Sequence, residues 1–436
     1  MANPLNIPEV ILIVFSYLDQ SSNARNARVC KLWSEIALDA VWHKIDNLPM
    51  ILPYLPSQGP APPRQYFLTC NVLLALNRDL TCCLLFMSPT VTELDLSLHP
   101  QDSRHFHGLV EDVVDRMPRI ARLRFKTSHR HIHHHYQVDD LRRLFESLLN
   151  LKDIALPWDF LHQPVVQRLS RLAHVENLWI EATDTKDHRS HPSLGALQAD
   201  AFPSLRQVAL SVPIDRSTTL LTRTNFPSSN LTTLYVYLPF TRPRNKELGD
   251  FFVTLASACP ALEYFELIVS KKVSVNSVAL TYQDVSFITR FPKLTSFTIR
   301  DEIPILMTDK DMESLASSLP RLECLILNTH PLLAKEPTLT LRALIPFARY
   351  CPNLTRLGLY IDAQTIVSLP SNDLAFNNLT LLDMGISSRC PDLGDERSFD
   401  TCCPLSVHDA PKVVSPCDRR RMSMEMGTSQ PLAACA

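Results

Sequence analysis

Between residues 91 and 384 one short pattern recurs eleven times: an apolar residue, two positions, a second apolar residue, one position, and a third. The register reads Val91/Leu94/Leu96, Ile120/Leu123/Phe125, Leu151/Ile154/Leu156, Val175/Leu178/Ile180, Leu205/Val208/Leu210, Leu231/Leu234/Val236, Leu262/Phe265/Leu267, Leu294/Phe297/Ile299, Leu322/Leu325/Leu327, Leu354/Leu357/Leu359 and Leu379/Leu382/Met384. Successive anchors lie 29, 31, 24, 30, 26, 31, 32, 28, 32 and 25 residues apart. A unit of that size cannot bury its own apolar face, so the pattern predicts stacked units that borrow one another's faces. The last two anchors of each unit alternate as a short strand does, and stretches of helical period precede most of them. Leu109, Val110, Val113, Val114 and Met117 form one such helical face; Leu141, Leu144, Phe145, Leu148 and Leu149 form another. Phe251, Phe252, Leu255 and Ala256 form a third, and Met312, Leu315, Ala316 and Leu319 a fourth. Helix then strand, repeated, predicts a parallel sheet lined on one side by helices. At about 4.8 Å per strand, eleven strands would span roughly 50 Å, a surface sized for proteins rather than metabolites.

Residues 5–45 follow a different pattern. Val10, Ile11, Leu12, Ile13, Val14, Phe15 and Leu18 cover nearly the whole circumference of a helix, and such a helix needs burial on more than one side. Asn6 and Glu9 are spaced as a capping box, and Pro8 suits a first helical turn. A second segment, Ser22 to Arg28, leads through Val29-Cys30-Lys31-Leu32-Trp33 into a third whose apolar side carries Ile36, Ala37, Val41 and Trp42. In so small a module one apolar face is its own core and another is left for a partner.

Residues 46–90 join the two regions: Ser57 to Pro63 is a Pro-rich break, and Tyr66 to Met87 is expected as helices packing on the first repeat. After Met384 the pattern stops. Residues 387–436 read as a disordered tail, the alternative being a unit that caps the solenoid. Pro118, Pro203, Pro260, Pro292, Pro320 and Pro352 each stand just ahead of a repeat strand and punctuate the array.

Composition narrows the function. A net charge of −2 offers no diffuse attraction for nucleic acid or an anionic membrane, so neither is expected as a partner. Eight glycines in 436 residues spell no phosphate cradle and no G-x-S-x-G elbow. Scattered Ser, His and Asp form no defensible triad, so the chain is expected to be no enzyme and to use no cofactor. The longest apolar run, Val10 to Phe15, is too short for a membrane helix, and a first basic residue at Arg25 does not suit a signal peptide. Twelve irregularly spaced cysteines suit a reducing compartment, so a cytoplasmic or nuclear location is expected. The tract His129-Arg130-His131-Ile132-His133-His134-His135 reads as a solvated loop lacking a ligand geometry for metal, and no metal site is assigned. Arg242-Pro243-Arg244-Asn245-Lys246 reads as a solvated basic loop, the alternative being a contact for an acidic partner.

Two resemblances follow from these residues. Leu5-x-x-Pro8-Glu9-Val10-Ile11-Leu12-x-x-Phe15-Ser16-Tyr17-Leu18, then Val29-Cys30-Lys31-Leu32-Trp33, then Val41-Trp42-His43-Lys44-Ile45, resembles the F-box over residues 4–45. The section 91–386 resembles the leucine-rich repeat superfamily, most closely at Cys259 to Leu267 and Cys351 to Leu359. The implied fold is α/β: a three-helix F-box, then an irregular leucine-rich-repeat solenoid of helix–strand units with a parallel concave sheet. Two departures stand out. The asparagine that ladders along the turn after the strand in that superfamily is not repeated here, and Asn23 and Asn26 replace apolar residues usual in the F-box, which predicts weaker packing of the second helix. The resemblance implies docking on a Skp-type adaptor, and through it on a cullin scaffold, with the repeats holding a substrate protein for ubiquitination. It makes Leu5, Pro8, Ile11, Leu12, Phe15 and Leu18 adaptor-facing, with Val29 and Trp33 divided between core and interface. The alternative is an F-box scaffold acting outside ubiquitination, in transcription or chromatin.

Overall fold

A computed structural model describes residues 7–42, 44–45, 69–73, 87–98, 103–127, 138–181, 197–238, 243–269, 278–331, 336–363 and 375–385. They belong to two units, Met1–Arg206 with Arg223–Pro227, and Gln207–Thr222 with Ser228–Ala436. Leu5, the histidine tract 129–135 and the tail 387–436 lie outside the described residues.

The first unit begins with helices α1 (Pro8–Ser16), α2 (Gln20–Asn26) and α3 (Lys31–Trp42). Ile11, Phe15 and Ala37 form their core, flanked by Ala27, Leu32, Trp33 and Ile36. Strands β1 (Lys44–Ile45), β2 (Thr69–Leu73), β3 (Glu93–Leu98), β4 (Arg122–Thr127), β5 (Asp153–Pro157) and β6 (Asn177–Glu181) follow, paired in parallel and in chain order. The sequence register is the strand register: Leu94 pairs with Leu123, Leu123 with Ile154 and Ile154 with Leu178. Helices Ser103–Arg116, Val138–Ser147 and Gln163–Leu169 connect β3 to β6. Every anchor of these rungs is at most 2% exposed, and burial of one such side chain contributes about 1.5–3 kcal/mol before entropy is subtracted.

Two expectations fail in this unit. Residues 69–73, expected within helices, are strand β2: Thr-Cys-Asn-Val-Leu completes hydrogen bonds that the edge of β3 would otherwise leave open. Leu149, expected on a helix face, is exposed, because its helix ends at Ser147 and the chain has already turned outward.

The second unit orders β7 (Gln207–Ser211), β8 (Thr233–Leu238), β9 (Tyr264–Val269), β10 (Ser296–Arg300), β11 (Cys324–Leu327), β13 (Arg356–Leu359) and β15 (Leu381–Asp383) into a parallel sheet. Short strands β12 (Leu339–Thr340) and β14 (Ile361–Asp362) pair separately. Val208, Leu234, Phe265, Phe297, Leu325, Leu357 and Leu382 form one continuous buried row. Phe252 stacks on Phe287 with centroids 3.7 Å apart, and Phe287 meets Phe297 edge-on, so helix Asn245–Ala258 and the sheet share one aromatic cluster. The last anchor, Met384, is only half-buried, since β15 has no following strand among the described residues.

The prolines act through a recurring turn. In Cys259-Pro260-Ala261-Leu262 the Leu262 N–H donates to the Cys259 carbonyl at 3.3 Å; the same bond closes at Phe291/Leu294, Leu319/Leu322 and Cys351/Leu354. Proline's fixed φ suits the second position of such a turn, and the fourth position is the first apolar anchor. Each strand then starts alike: the carbonyls of Thr232, Glu263, Thr295, Glu323 and Thr355 each accept two successive N–H groups from the next coil. A single asparagine after a strand, Asn328, bonds to the preceding coil. At φ 46° and buried, it accepts from the Asp301 N–H at 3.0 Å and donates to the Ile303 carbonyl at 2.6 Å.

Candidate functional site

The amino-terminal module places its apolar side chains on two sides of α1. Pro8 occupies the first turn, and the Ile7 carbonyl accepts from the N–H groups of Val10 and Ile11, both at 3.1 Å. The N-cap residue is Ile7, whose side chain makes no capping bond, and Asn6 of the expected capping box lies outside the described residues; proline at the helix start already removes one N–H that needs a partner. Ile11 and Phe15, four residues apart, point to the core, where Phe15 meets Trp33 edge-on at 5.4 Å.

At about 100° per residue, Ile13 falls opposite those two, with Leu12, Val14 and Tyr17 around it. These four are 54%, 59%, 44% and 85% exposed in the order Leu12, Ile13, Val14, Tyr17. Leu18 at 40% and Val29 at 60% extend the apolar surface beyond the helix. Single exposed apolar residues are ordinary, but six on one small module form a surface that a partner would cover.

Of the eight residues expected to face an adaptor, the structure exposes Pro8, Leu12, Leu18 and Val29, half-buries Trp33, and places Ile11 and Phe15 in the module's own core. Leu5 is outside the described residues. Ile11 and Phe15 are therefore corrected from surface to core: a three-helix module this short has few other large side chains to fill its interior. Ile13, Val14 and Tyr17 were not singled out, although the helical period relative to Ile11 and Phe15 marks Ile13 and Tyr17 as outward.

The turn between α1 and α2 is rigidified by polar groups. Asp19 caps α2, accepting from the Ser22 N–H at 2.6 Å, and that bond holds its carboxyl below the usual range. Asn23, expected to weaken the packing, is buried and donates to the Phe15 carbonyl at 3.0 Å and the Leu18 carbonyl at 3.4 Å. It adds a side-chain donor to two carbonyls at the end of α1, where Phe15 also accepts the Leu18 N–H at 3.2 Å.

Among the described residues no group of His, Cys, Asp and Glu could hold a metal, and no helix is long and apolar enough to cross a membrane. The site is an exposed apolar surface. Residues 8–48 match the F-box-like family model, so the three-helix module is F-box-like, and in the sequence it precedes the array of helices and parallel strands. No sequence among curated proteins matches the chain. Among solved structures it is similar to the leucine-rich repeat-containing protein LegL7 from Legionella pneumophila, at 16% identity and TM-score 0.42, over 67% of this chain and 91% of that one. It is also similar to a chain in the Rad7 and Elc1 complex of yeast, at 13% identity and TM-score 0.36, over 92% of this chain and 93% of that one.

Proposed function

We propose that this chain is a substrate-recognition subunit of a Skp-cullin-F-box ubiquitin ligase, working in the cytoplasm or nucleus. Its F-box-like module docks on a Skp-type adaptor, and the adaptor joins it to a cullin scaffold. The repeats hold the substrate protein. Catalysis belongs to other subunits, while this chain raises the effective concentration of a substrate lysine near the conjugating enzyme.

The observation that carries this reading is the exposed apolar stripe of Leu12, Ile13, Val14 and Tyr17 on a module whose own core is already filled by Ile11, Phe15 and Ala37. The test is a pull-down of the full chain from cells expressing adaptor and cullin. Recovery of both supports the ligase. Recovery of adaptor without cullin favours a scaffold outside ubiquitination, and failure to recover the adaptor refutes both readings.

A further inference from the structure

Helix α1 ends without the residue that usually closes a helix. Tyr17-Leu18-Asp19 follow Ser16, none of them glycine and none in the left-handed region, so no left-handed turn returns N–H groups to the last carbonyls. The main chain closes this end with two bonds of the tighter 3₁₀ kind. Tyr17 N–H donates to the Val14 carbonyl and Leu18 N–H to the Phe15 carbonyl, each at 3.2 Å.

Asn23, in the middle of α2, supplies the rest from across the turn. Its own N–H donates to the Asp19 carbonyl at 3.0 Å, and its side-chain amide donates to the carbonyls of Phe15 and Leu18 at 3.0 and 3.4 Å. The Asp19 carboxylate is held at the same time by the Ser22 N–H and the Ser21 hydroxyl. Asn23 thus grips the link at both of its ends and at Leu18. The side chain of Leu18 belongs to the exposed apolar surface of the module.

The oxygen of the same amide is buried and accepts from no donor among the described residues. An acceptor left dry costs about as much as two hydrogen bonds to neutral carbonyls return, so this side chain adds little net stability. What it adds is geometry. An apolar residue, usual at this position of the F-box, would fill the space without that penalty but would not hold the Leu18 carbonyl. We propose that Asn23 is a positioning residue for adaptor docking and acts through Leu18, fixing the turn so that Leu18 and the α1 stripe meet the adaptor as one surface. A surface ordered beforehand costs less to bind. This inference rests on reading the module as the adaptor-binding part of the chain.

The test is a double-mutant cycle on the full chain, titrated with a purified Skp-type adaptor by biolayer interferometry, with folding of the module checked by hydrogen exchange in α3. Asn23→Leu should leave α3 protected and weaken the adaptor about fivefold. Combined with Leu18→Ala it should cost nothing beyond Leu18→Ala alone, whereas combined with Ile13→Ala the two losses should multiply. A residue that merely steadied the module would multiply with both. Multiplication with Leu18→Ala, or unchanged affinity of Asn23→Leu, overturns the proposal. If Asn23→Leu unprotects α3, Asn23→Ala takes its place in the same cycle; loss of protection there too would assign Asn23 to folding and overturn the proposal as well. Failure of the unaltered chain to bind the adaptor sinks the ligase reading and this inference with it. Binding by the unaltered chain with independent losses sinks this inference alone.

Discussion

The side-chain amide of Asn23, in the second helix, donates to the main-chain carbonyl of Phe15 at the end of the first, across 3.0 Å in the buried interior of the module. Removing it takes away one of that carbonyl's donors and leaves the Leu18 N–H at 3.2 Å, a loss of about 0.5–1.5 kcal/mol. Asn23→Ala should lower protection of residues 8–18 against hydrogen exchange without disturbing the repeats. Asn23→Leu, which restores an apolar side chain, should not rescue it; full rescue would mean that filling space matters here more than the hydrogen bond.

Surface and core of the first helix separate docking from folding. Ile13→Asp with Tyr17→Asp changes only exposed positions and should alter stability by no more than about 0.5 kcal/mol each while abolishing adaptor capture. Phe15→Asp puts a charge into the packed interior and should cost at least about 3 kcal/mol, losing capture through unfolding. Circular dichroism beside a pull-down distinguishes the two routes. Undiminished capture by the surface double variant would relocate the docking face.

His107 and Asp140 tie two helices of the first unit together at 2.6 Å. The hydrogen bond to Asp140, then its charge, raises the His107 pKa above the ordinary 6.5; Glu111 adds to the rise and Arg143 opposes it. A raised imidazole stabilises the folded state fully below pH 6.5 and loses that contribution as pH climbs through its elevated folded value. The denaturation midpoint should therefore fall as pH rises from 6.5 through the raised folded value, and His107→Gln should flatten that dependence. An NMR titration placing His107 at or below 6.5 would contradict the assignment.

Gly385 sits at φ 75°, and a Cβ there would run into the main-chain carbonyl of Thr329. Both the left-handed backbone and the collision oppose a side chain, so Gly385→Ala should destabilise the end of the second unit by about 2 kcal/mol or more. Urea unfolding followed by limited proteolysis would show it, and an unchanged midpoint would mean that this terminal turn does not need its observed conformation.

Burial pushes the thiols of Cys259 and Cys351 up to about 12, and Cys351 also reaches the carbonyls of Ala316 and Leu319. Neither should react with iodoacetamide in the native protein at neutral pH, while exposed Cys30 should. Peptide mass spectrometry after brief labelling reads this directly. Rapid labelling of Cys351 would show that its turn opens.

The repeat array was legible because a strand buried on one face must place apolar residues at alternate positions, and a stack of such strands must repeat them in register. Leu94, Leu123, Ile154 and Leu178 are paired as their spacing implies. Strand β2 was not legible: Thr69–Leu73 offers the same alternation as a short helical stretch, and only the open edge of β3 selects the extended form. The role of Asn328 was hidden for a related reason, since a lone asparagine after a strand acquires meaning only when two main-chain groups of the preceding coil come within its reach.

Sequence alone determined that residues 8–16 make a helix apolar on all sides and that the units behind it must stack, because periodicity is a property of neighbouring positions. Tertiary structure decided which side of that helix faces inward, turned Ile11 and Phe15 to the core and Ile13 and Tyr17 to solvent, and laid Arg124 over Trp179. Those outcomes depend on what α3 and the strand between β4 and β6 present across a gap, and hydrophobicity along one chain segment carries no record of the surface that will meet it.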